Sequence, residues 1–209
     1  MKMLIGAVLA LSLPYAAYAA SCPESYGDGT VAGVAIAPNS VRYWAQDAQL
    51  GGFGYFTSDG NWYPFLVAST DSLAPSHNTV DMAYAINGTM TFYNVVVPSA
   101  GTYKIKFRYA FDYGFFPGVT DRAEEIKVNG VIADSNMHFI ITHSFDTIFC
   151  HSAINVHLDA GRNDIQMHNI SQHGVSRVDD MTVAPTTNPI TPVSGSPAPS
   201  KALECNSLP

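Results

Sequence analysis

Charged residues are scarce in this sequence, and no cluster of basic residues occurs. Only 13% of the 209 residues are charged, and 10 Lys and Arg stand against 17 Asp and Glu, which gives a net charge of −7. A mildly acidic chain without a basic cluster is a poor electrostatic match for nucleic acid or an anionic membrane. Because 47% of the residues are apolar, the composition also excludes a disordered solvating protein.

Helical periodicity is nearly absent, and alternation of apolar with polar residues dominates instead. In the clearest case, residues 102–110, aromatic and apolar side chains alternate with Lys104, Lys106 and Arg108. This period of two is typical of a half-buried strand. Asn129-Gly130 favours the primed turn that joins antiparallel strands. The sequence therefore predicts an all-β fold, an antiparallel β-sandwich or jelly roll, as one domain over residues 31–183.

Only the N-terminus carries a long apolar stretch, and it is shorter than the roughly 20 residues that span a bilayer. Lys2 supplies a positive end, residues 3–14 are mostly apolar, and Ala17-Tyr18-Ala19 has small residues where a signal peptidase reads. This pattern predicts a signal peptide over residues 1–19 and a secreted, extracellular protein without a membrane span. A second interpretation is a lipid-anchored envelope protein, since Ala19-Ala20-Ser21-Cys22 is a degenerate lipoprotein sequence.

Cysteine is also rare. Cys22, Cys150 and Cys205 are the three in the chain. An oxidising compartment favours one disulfide and one leftover thiol. The sequence leaves the pairing open, and the ends of a β-sandwich often meet, which favours Cys22 with Cys205.

The composition changes abruptly at Ala184. Residues 184–209 hold 6 of the 13 prolines, no aromatic residue and one acid, Glu204. Such a segment buries too little apolar surface to offset its ordering entropy. We therefore predict a disordered Pro/Ser/Thr-rich tail or linker over residues 184–209.

Four segments of the body occur in a recognisable order: NVVVPSAGTYKIKFRYA, RAEEIKVNG, INVHLDAGRNDIQM and VDDMTV. Together they resemble carbohydrate-binding modules of families 6 and 35, and the resemblance covers about Val41 to Val183. It implies an antiparallel β-sandwich that binds sugars, performs no catalysis and often holds a structural calcium ion.

The resemblance also implies where calcium would bind, because acids of the opening and closing strands commonly supply its ligands in these modules. Asp179 matches the closing aspartate, whereas Gln46 and Trp44 stand where the opening motif has its two glutamates. Calcium prefers six to eight oxygen ligands, so the loss of two charges lowers the expected affinity unless Asp47 compensates. The expectation is a weakly bound structural Ca²⁺ at Gln46, Asp47 and Asp179. The alternative is that these are ordinary polar residues near strand ends.

Sugar recognition needs flat apolar surface for the CH face of a pyranose ring and a few planar polar groups. Two aromatic-rich loops, residues 51–63 and 112–122, have this content. The rings expected to face the sugar are Trp62, Tyr63, Tyr113 and Phe116, whereas Phe53 and Tyr55 are expected in the core. Arg122 corresponds to an arginine that contacts the sugar acid in uronate-binding relatives, and Arg177 replaces the asparagine that often precedes the closing aspartate.

These residues lead to an expected function: a secreted, monomeric, non-catalytic protein that binds a polysaccharide, with acidic sugar units favoured by the two arginines. One alternative is a polysaccharide-active enzyme, for which Asp121, Glu124 and Glu125 are the candidate acids. Another is an adhesin that binds a protein. A metal site at His138, His143 and His151 is disfavoured, since positions five apart on a strand face opposite sides.

Overall fold

The computed structural model describes residues 33–52, 54–56, 60–62, 65–68, 77–82, 86–113, 116–145, 147–171, 173–174 and 177–207. Within these ranges the chain forms strands and one short 3-10 turn, Ala45–Asp47. The strands are β1 (Val34–Ala37), β2 (Ser40–Trp44), β3 (Gln49–Gly51), β4 (Gly54–Phe56), β5 (Gly60–Trp62), β6 (Phe65–Ala68), β7 (Asn78–Asp81), β8 (Thr89–Val97), β9 (Gly101–Tyr109), β10 (Asp121–Val128), β11 (Val131–Ile140), β12 (Cys150–Leu158), β13 (Gly161–Asn169) and β14 (Val178–Pro185).

The strands form two antiparallel sheets and a separate β4–β5 hairpin. In the first sheet β14 is central: β9 and then β12 follow on one side, and the pairs β2–β1 and β7–β6 lie on the other. The second sheet has the order β11-β10-β13-β8-β3. The predicted all-β, single-domain sandwich is confirmed. No helix in the described ranges is long and apolar enough to cross a membrane.

The alternation in β9 places its apolar face in the core between the sheets. Tyr103, Ile105, Phe107 and Tyr109 are all buried. The ring of Phe107 lies 6.3 Å, between centroids, from the rings of Phe92 and Phe139 in the second sheet. Each such burial stabilises the fold by about 1.5–3 kcal/mol. Packing of β9 against the facing sheet therefore fixes the sandwich.

The β10–β11 hairpin turns at Asn129-Gly130, as the sequence predicts. Val128 pairs directly with Val131 across a two-residue loop. Both loop residues have positive φ, 52° and 79°, which the primed turn requires and which asparagine and glycine tolerate best.

Residues 186–207, which we call the C-terminal strap, lie along the edges of both sheets. Thr191 N donates to Asn155 O at 2.8 Å on β12, and Ser135 N on β11 donates to Val193 O at 2.6 Å. Further along, His151 N donates to Leu203 O at 2.8 Å. The prediction of a disordered tail is therefore wrong for these residues. Edge strands carry unpaired backbone groups, and the strap pairs with them instead of burying a large apolar surface.

A disulfide joins Cys150 on β12 to Cys205 in the strap. The predicted pairing of Cys22 with Cys205 is thus wrong, and Cys22 lies outside the described residues. The pairing follows from the path of the strap along β12, which brings Cys205 to the start of that strand, rather than from a meeting of the two chain ends.

Candidate functional site

Described residues of three connections meet at one end of the sandwich: the connections between β9 and β10, between β11 and β12, and between β13 and β14. Ala110 N donates to Arg177 O at 2.9 Å, and Thr142 N donates to Phe111 O at 3.0 Å. These backbone hydrogen bonds join the three loops into one surface, which we call the loop end.

Two of the predicted sugar-facing rings lie at the loop end. Tyr113 is 37% exposed and contacts His143 edge to face, with ring centroids 6.1 Å apart. Phe116 is half-buried and contacts His173 in the same way at 4.8 Å. A turn closed by Phe116 N donating to Tyr113 O at 2.9 Å sets the spacing of the two rings. The two histidines are not predictable as ring partners from the local sequence, because both come from other loops.

Arg122 lies beneath this surface rather than on it. Its side chain is among the most deeply buried, at 2% exposure, and Nη2 donates to Asp112 O at 3.1 Å. Its guanidinium carbon stands 4.5 Å from the centroid of the Phe111 ring, a cation–π contact. Arg122 thus supports the backbone that carries Tyr113. Direct contact between Arg122 and a sugar stays a prediction.

Arg177 is half-buried and connects two of the loops. Its Nη1 donates to Phe145 O at 3.4 Å, and its guanidinium carbon lies 6.0 Å from the centroid of the Phe145 ring.

The pKa of the His173 imidazole is lowered, first by burial and then by the charge of Arg122. Both effects favour the neutral form of the His173 imidazole beside Phe116.

The other two predicted rings lie outside the described residues. The backbone of Trp62 ends β5 and pairs with Gly54, but its side chain is outside the described part, and so are Tyr63, Phe53 and the side chain of Tyr55. Their assignments stay predictions.

The three residues expected to bind calcium already have protein partners or lack converging acids. Gln46 Oε1 accepts from Asn78 N at 2.7 Å. Asp179 is fully buried, and its Oδ2 accepts from Arg108 Nη1 at 3.0 Å. Among the residues that the structure describes, no three His, Cys, Asp or Glu side chains, Asp47 included, gather in a way that could hold a metal ion. One oxygen of Asp179 is thus taken by arginine and the side-chain oxygen of Gln46 by a backbone amide, which weakens the fit of these residues to the ion. Calcium binding at these residues stays a prediction.

The histidines that were weighed as a metal site go to separate partners. His138 Nδ1 lies 2.6 Å from Asp121 Oδ2 on the neighbouring strand β10. His143 contacts Tyr113, and His151 Nδ1 lies 3.1 Å from Glu204 O in the strap. They do not form one site.

A buried charge cluster, which was not among the sequence predictions, lies next to Asp179. Arg42 Nε and Asp180 Oδ2 are 3.4 Å apart, with both side chains largely buried. Burial raises the pKa of Asp180 to about 7, because Arg42 offsets only part of the cost and the neighbouring Asp179 adds repulsion. The feature of the sequence that could have predicted this cluster is the pair of consecutive acids Asp179-Asp180 inside an apolar strand.

The comparisons with known proteins rest on structure. No protein-family model and no curated protein sequence matches the chain. A family 35 carbohydrate-binding module from Clostridium thermocellum matches with 27% identity and a TM-score of 0.56, over 70% of this chain and 98% of the module. One from Paenibacillus barcinonensis matches with 25% identity and a TM-score of 0.52, over 69% and 98%.

A larger protein shares the fold alone. An exo-β-1,3-galactanase from Phanerochaete chrysosporium matches with 18% identity and a TM-score of 0.51, over 71% of this chain but 30% of the enzyme. The neighbours that are matched along nearly their whole length are thus modules rather than enzymes. These matches confirm the predicted resemblance of the chain, in its motifs and in its fold, to carbohydrate-binding modules of the family 6 and 35 type.

Proposed function

We propose that this chain is an exported, non-catalytic protein that binds a polysaccharide at its loop end. The observation that carries the proposal is the match to two family 35 modules along 98% of their length at 25–27% identity. Since a shared fold alone does not imply a shared function, the proposal also needs a site with suitable chemistry.

The loop end supplies that chemistry. Tyr113 offers an exposed ring and Phe116 a half-buried one, each held against a histidine. An aromatic face packs against the apolar CH face of a pyranose, and imidazole and guanidinium groups pair with its oxygens. Arg177, half-buried at the same end, supports the finer proposal that some of the sugar units are acidic.

Two of the three acids considered for catalysis, Glu124 and Glu125, have surroundings that point to a structural role. Glu124 is fully buried on β10. Glu125 Oε1 accepts from His168 Nδ1 at 2.8 Å and lies 3.0 Å from Lys127 Nζ. Glycoside hydrolysis needs two carboxyl groups that flank the scissile bond in an open cleft. The placement of these two residues supports binding without cleavage.

Export is supported by the disulfide. Cys150–Cys205 is the kind of bond that persists in oxidising compartments and is rare in reduced ones. It agrees with the signal peptide predicted over residues 1–19, which lies outside the described residues.

The test is a glycan array probed with the purified protein, in calcium and in chelator, followed by titration calorimetry with the best ligand. We expect binding that does not depend on calcium and no release of reducing sugar. Tyr113→Ala and Phe116→Ala should each weaken binding about tenfold, whereas Tyr93→Ala, which removes a half-buried ring on β8, should leave it unchanged. A protein that binds no glycan on the array would refute the proposal.

A further inference from the structure

A cleft of about 660 Å³ lies between the loop end and the C-terminal strap. Tyr113, Thr142 and His143 form part of one wall, and strap residues 198–202 form the other. Its volume lies in the range of about 300–1,000 Å³ that is usual for small-molecule sites. The strap follows the segment Val41–Val183 whose sequence resembles the modules.

Several contacts fix the strap wall. Cys205, which lines the cleft, is bonded to Cys150 at the start of β12. Next to it, Leu203 O accepts from His151 N at 2.8 Å, and Glu204 forms an ion pair with Lys106 on β9. Asn206 N donates to Phe149 O at 2.8 Å. A wall tied to β9, β12 and the loop before β12 is pre-organised, which lowers the entropic cost of binding a ligand.

The cleft combines an apolar surface with polar groups. The exposed ring of Tyr113 borders it, and the exposed Lys201 carries a hydrogen-bond donor with a positive charge. Asp121 also lines the cleft and is oriented by His138, 2.6 Å away. An aromatic face, an ammonium donor and a fixed carboxylate acceptor are groups that a polyhydroxylated ring can satisfy together.

We propose that this cleft is a subsite of the saccharide-binding site, in which the strap supplies one wall. A pyranose unit of the bound polysaccharide stacks on Tyr113, and Lys201 donates to one of its oxygens. That oxygen belongs to a hydroxyl group in a neutral sugar or to a carboxylate in a uronic acid. The inference rests on the proposed function, because it assigns a further contact of the same site.

The first test is calorimetry of Lys201→Ala with the oligosaccharide found on the array, in its neutral and its uronic form. We expect affinity to fall about fivefold for a neutral ligand, and about tenfold or more for the uronic form because that hydrogen bond is charge-assisted. Arg162→Ala is the matched control, since Arg162 is an exposed basic residue of β13 paired with Val96, away from the loop end. Its affinity should equal that of the wild type.

The second test detaches the strap. The double variant Cys150→Ser/Cys205→Ser, measured well below its melting temperature, should bind more weakly than the wild type by at least the Lys201→Ala factor. If the wild type binds and both the lysine variant and the cysteine variant bind equally well, the subsite is refuted while the proposed function stands. If the wild type binds no saccharide, both proposals fail.

Discussion

His151 is an ionisable residue that lies almost entirely inside the protein. Its Nδ1 faces Glu204 O at 3.1 Å, and Lys106 and Arg108 are its basic neighbours. Burial, and then the charge of Lys106, lower its pKa from 6.5 to about 4. Between these two values the unfolded chain binds a proton at this residue and the folded chain does not, so the free energy of unfolding falls as the pH falls.

Replacement of His151 should therefore change the pH dependence of stability. In the wild type, the free energy of unfolding falls by up to about 3 kcal/mol because of this residue as the pH drops from 6.5 to 4. Asp180 acts in the opposite direction: its pKa rises from 3.8 to about 7 in the folded protein, so its stabilising contribution is complete below about 3.8 and is lost as the pH rises through 7. In His151→Gln we expect the pH dependence of the free energy of unfolding to retain the part that comes from Asp180 and to lose the part that comes from His151.

The measurement is urea unfolding of both proteins at pH 7 and pH 4.5. We subtract the free energy of unfolding of the wild type from that of His151→Gln at each pH. This difference should be larger at pH 4.5 than at pH 7 by about 1 to 3 kcal/mol, the size expected from the lowered pKa of His151. His157→Gln, at an exposed histidine of the same strand, is the control and should follow the wild type. Parallel curves for all three proteins would contradict the assigned burial effect.

Arg122 is buried and has structural contacts beside its predicted contact with the ligand. Its guanidinium donates to Asp112 O and packs on Phe111. A hydrogen bond from a charged group contributes about 1.5–3 kcal/mol to the free energy of unfolding, and a desolvated cation–π contact contributes about 2 kcal/mol. We therefore expect Arg122→Ala to lower the free energy of unfolding by about 3 kcal/mol, as measured by urea denaturation.

Arg122→Lys provides the comparison for this effect. Lysine keeps the charge but loses the planar fork, so its stability should lie between those of the wild type and the alanine variant. If the alanine variant is as stable as the wild type but does not bind sugar, Arg122 contacts the ligand directly instead of stabilising the loop.

At the scale of elements, the strands follow from the sequence and the strap does not. Alternation is a property of neighbouring residues, so β9 and the Asn129-Gly130 hairpin are predictable from short windows. Residues 186–207 have a defined conformation because they pair with the edges of β11 and β12. These two strands come from parts of the sequence that are distant from the strap. Composition alone, rich in proline and poor in aromatics, predicts disorder there.

The disulfide should determine whether the strap stays docked. Cys150 and Cys205 are separated by 55 residues, and closing a loop of that length stabilises the folded state by about 4 kcal/mol at most. We expect Cys150→Ser/Cys205→Ser to lower the melting temperature. It should also speed trypsin cleavage after Lys201, the exposed lysine of the strap.

Cys22→Ser is the control for the strap experiment and should match the wild type in both measurements, because the disulfide does not involve Cys22. Equal rates of cleavage after Lys201 in the oxidised protein and the double variant would mean that the hydrogen bonds of the strap suffice without the covalent link.

At the scale of the whole molecule, the sequence predicts the sandwich and the meeting of Tyr113, Phe116 and Arg177 at one end. It does not predict which charged residues are buried. In β9 the alternation places Arg108 on the outer face, yet that face is covered: Arg108 lies over the Phe149 ring and its Nε donates to Ser207 O at 3.4 Å. Burial of this face depends on the loop before β12 and on the strap, so no local pattern contains it.

The final prediction concerns how the protein reaches its oxidised form. We expect export to remove residues 1–19 and to bring Cys150 and Cys205 into a compartment where their disulfide persists. When the full sequence is expressed in a secreting host, we expect a mature chain that begins at Ala20 by N-terminal sequencing. Its intact mass should fit one disulfide.

Thiol titration of that mature chain, unfolded without reductant, separates the export pathways. One reactive thiol per chain, from Cys22, is the expected value, because the other two cysteines are bonded to each other. A chain that begins at Cys22 and carries a lipid mass would establish the envelope-anchored alternative. Three reactive thiols and an intact Met1 would contradict export, because the chain would then have kept its leader and stayed in a reducing compartment.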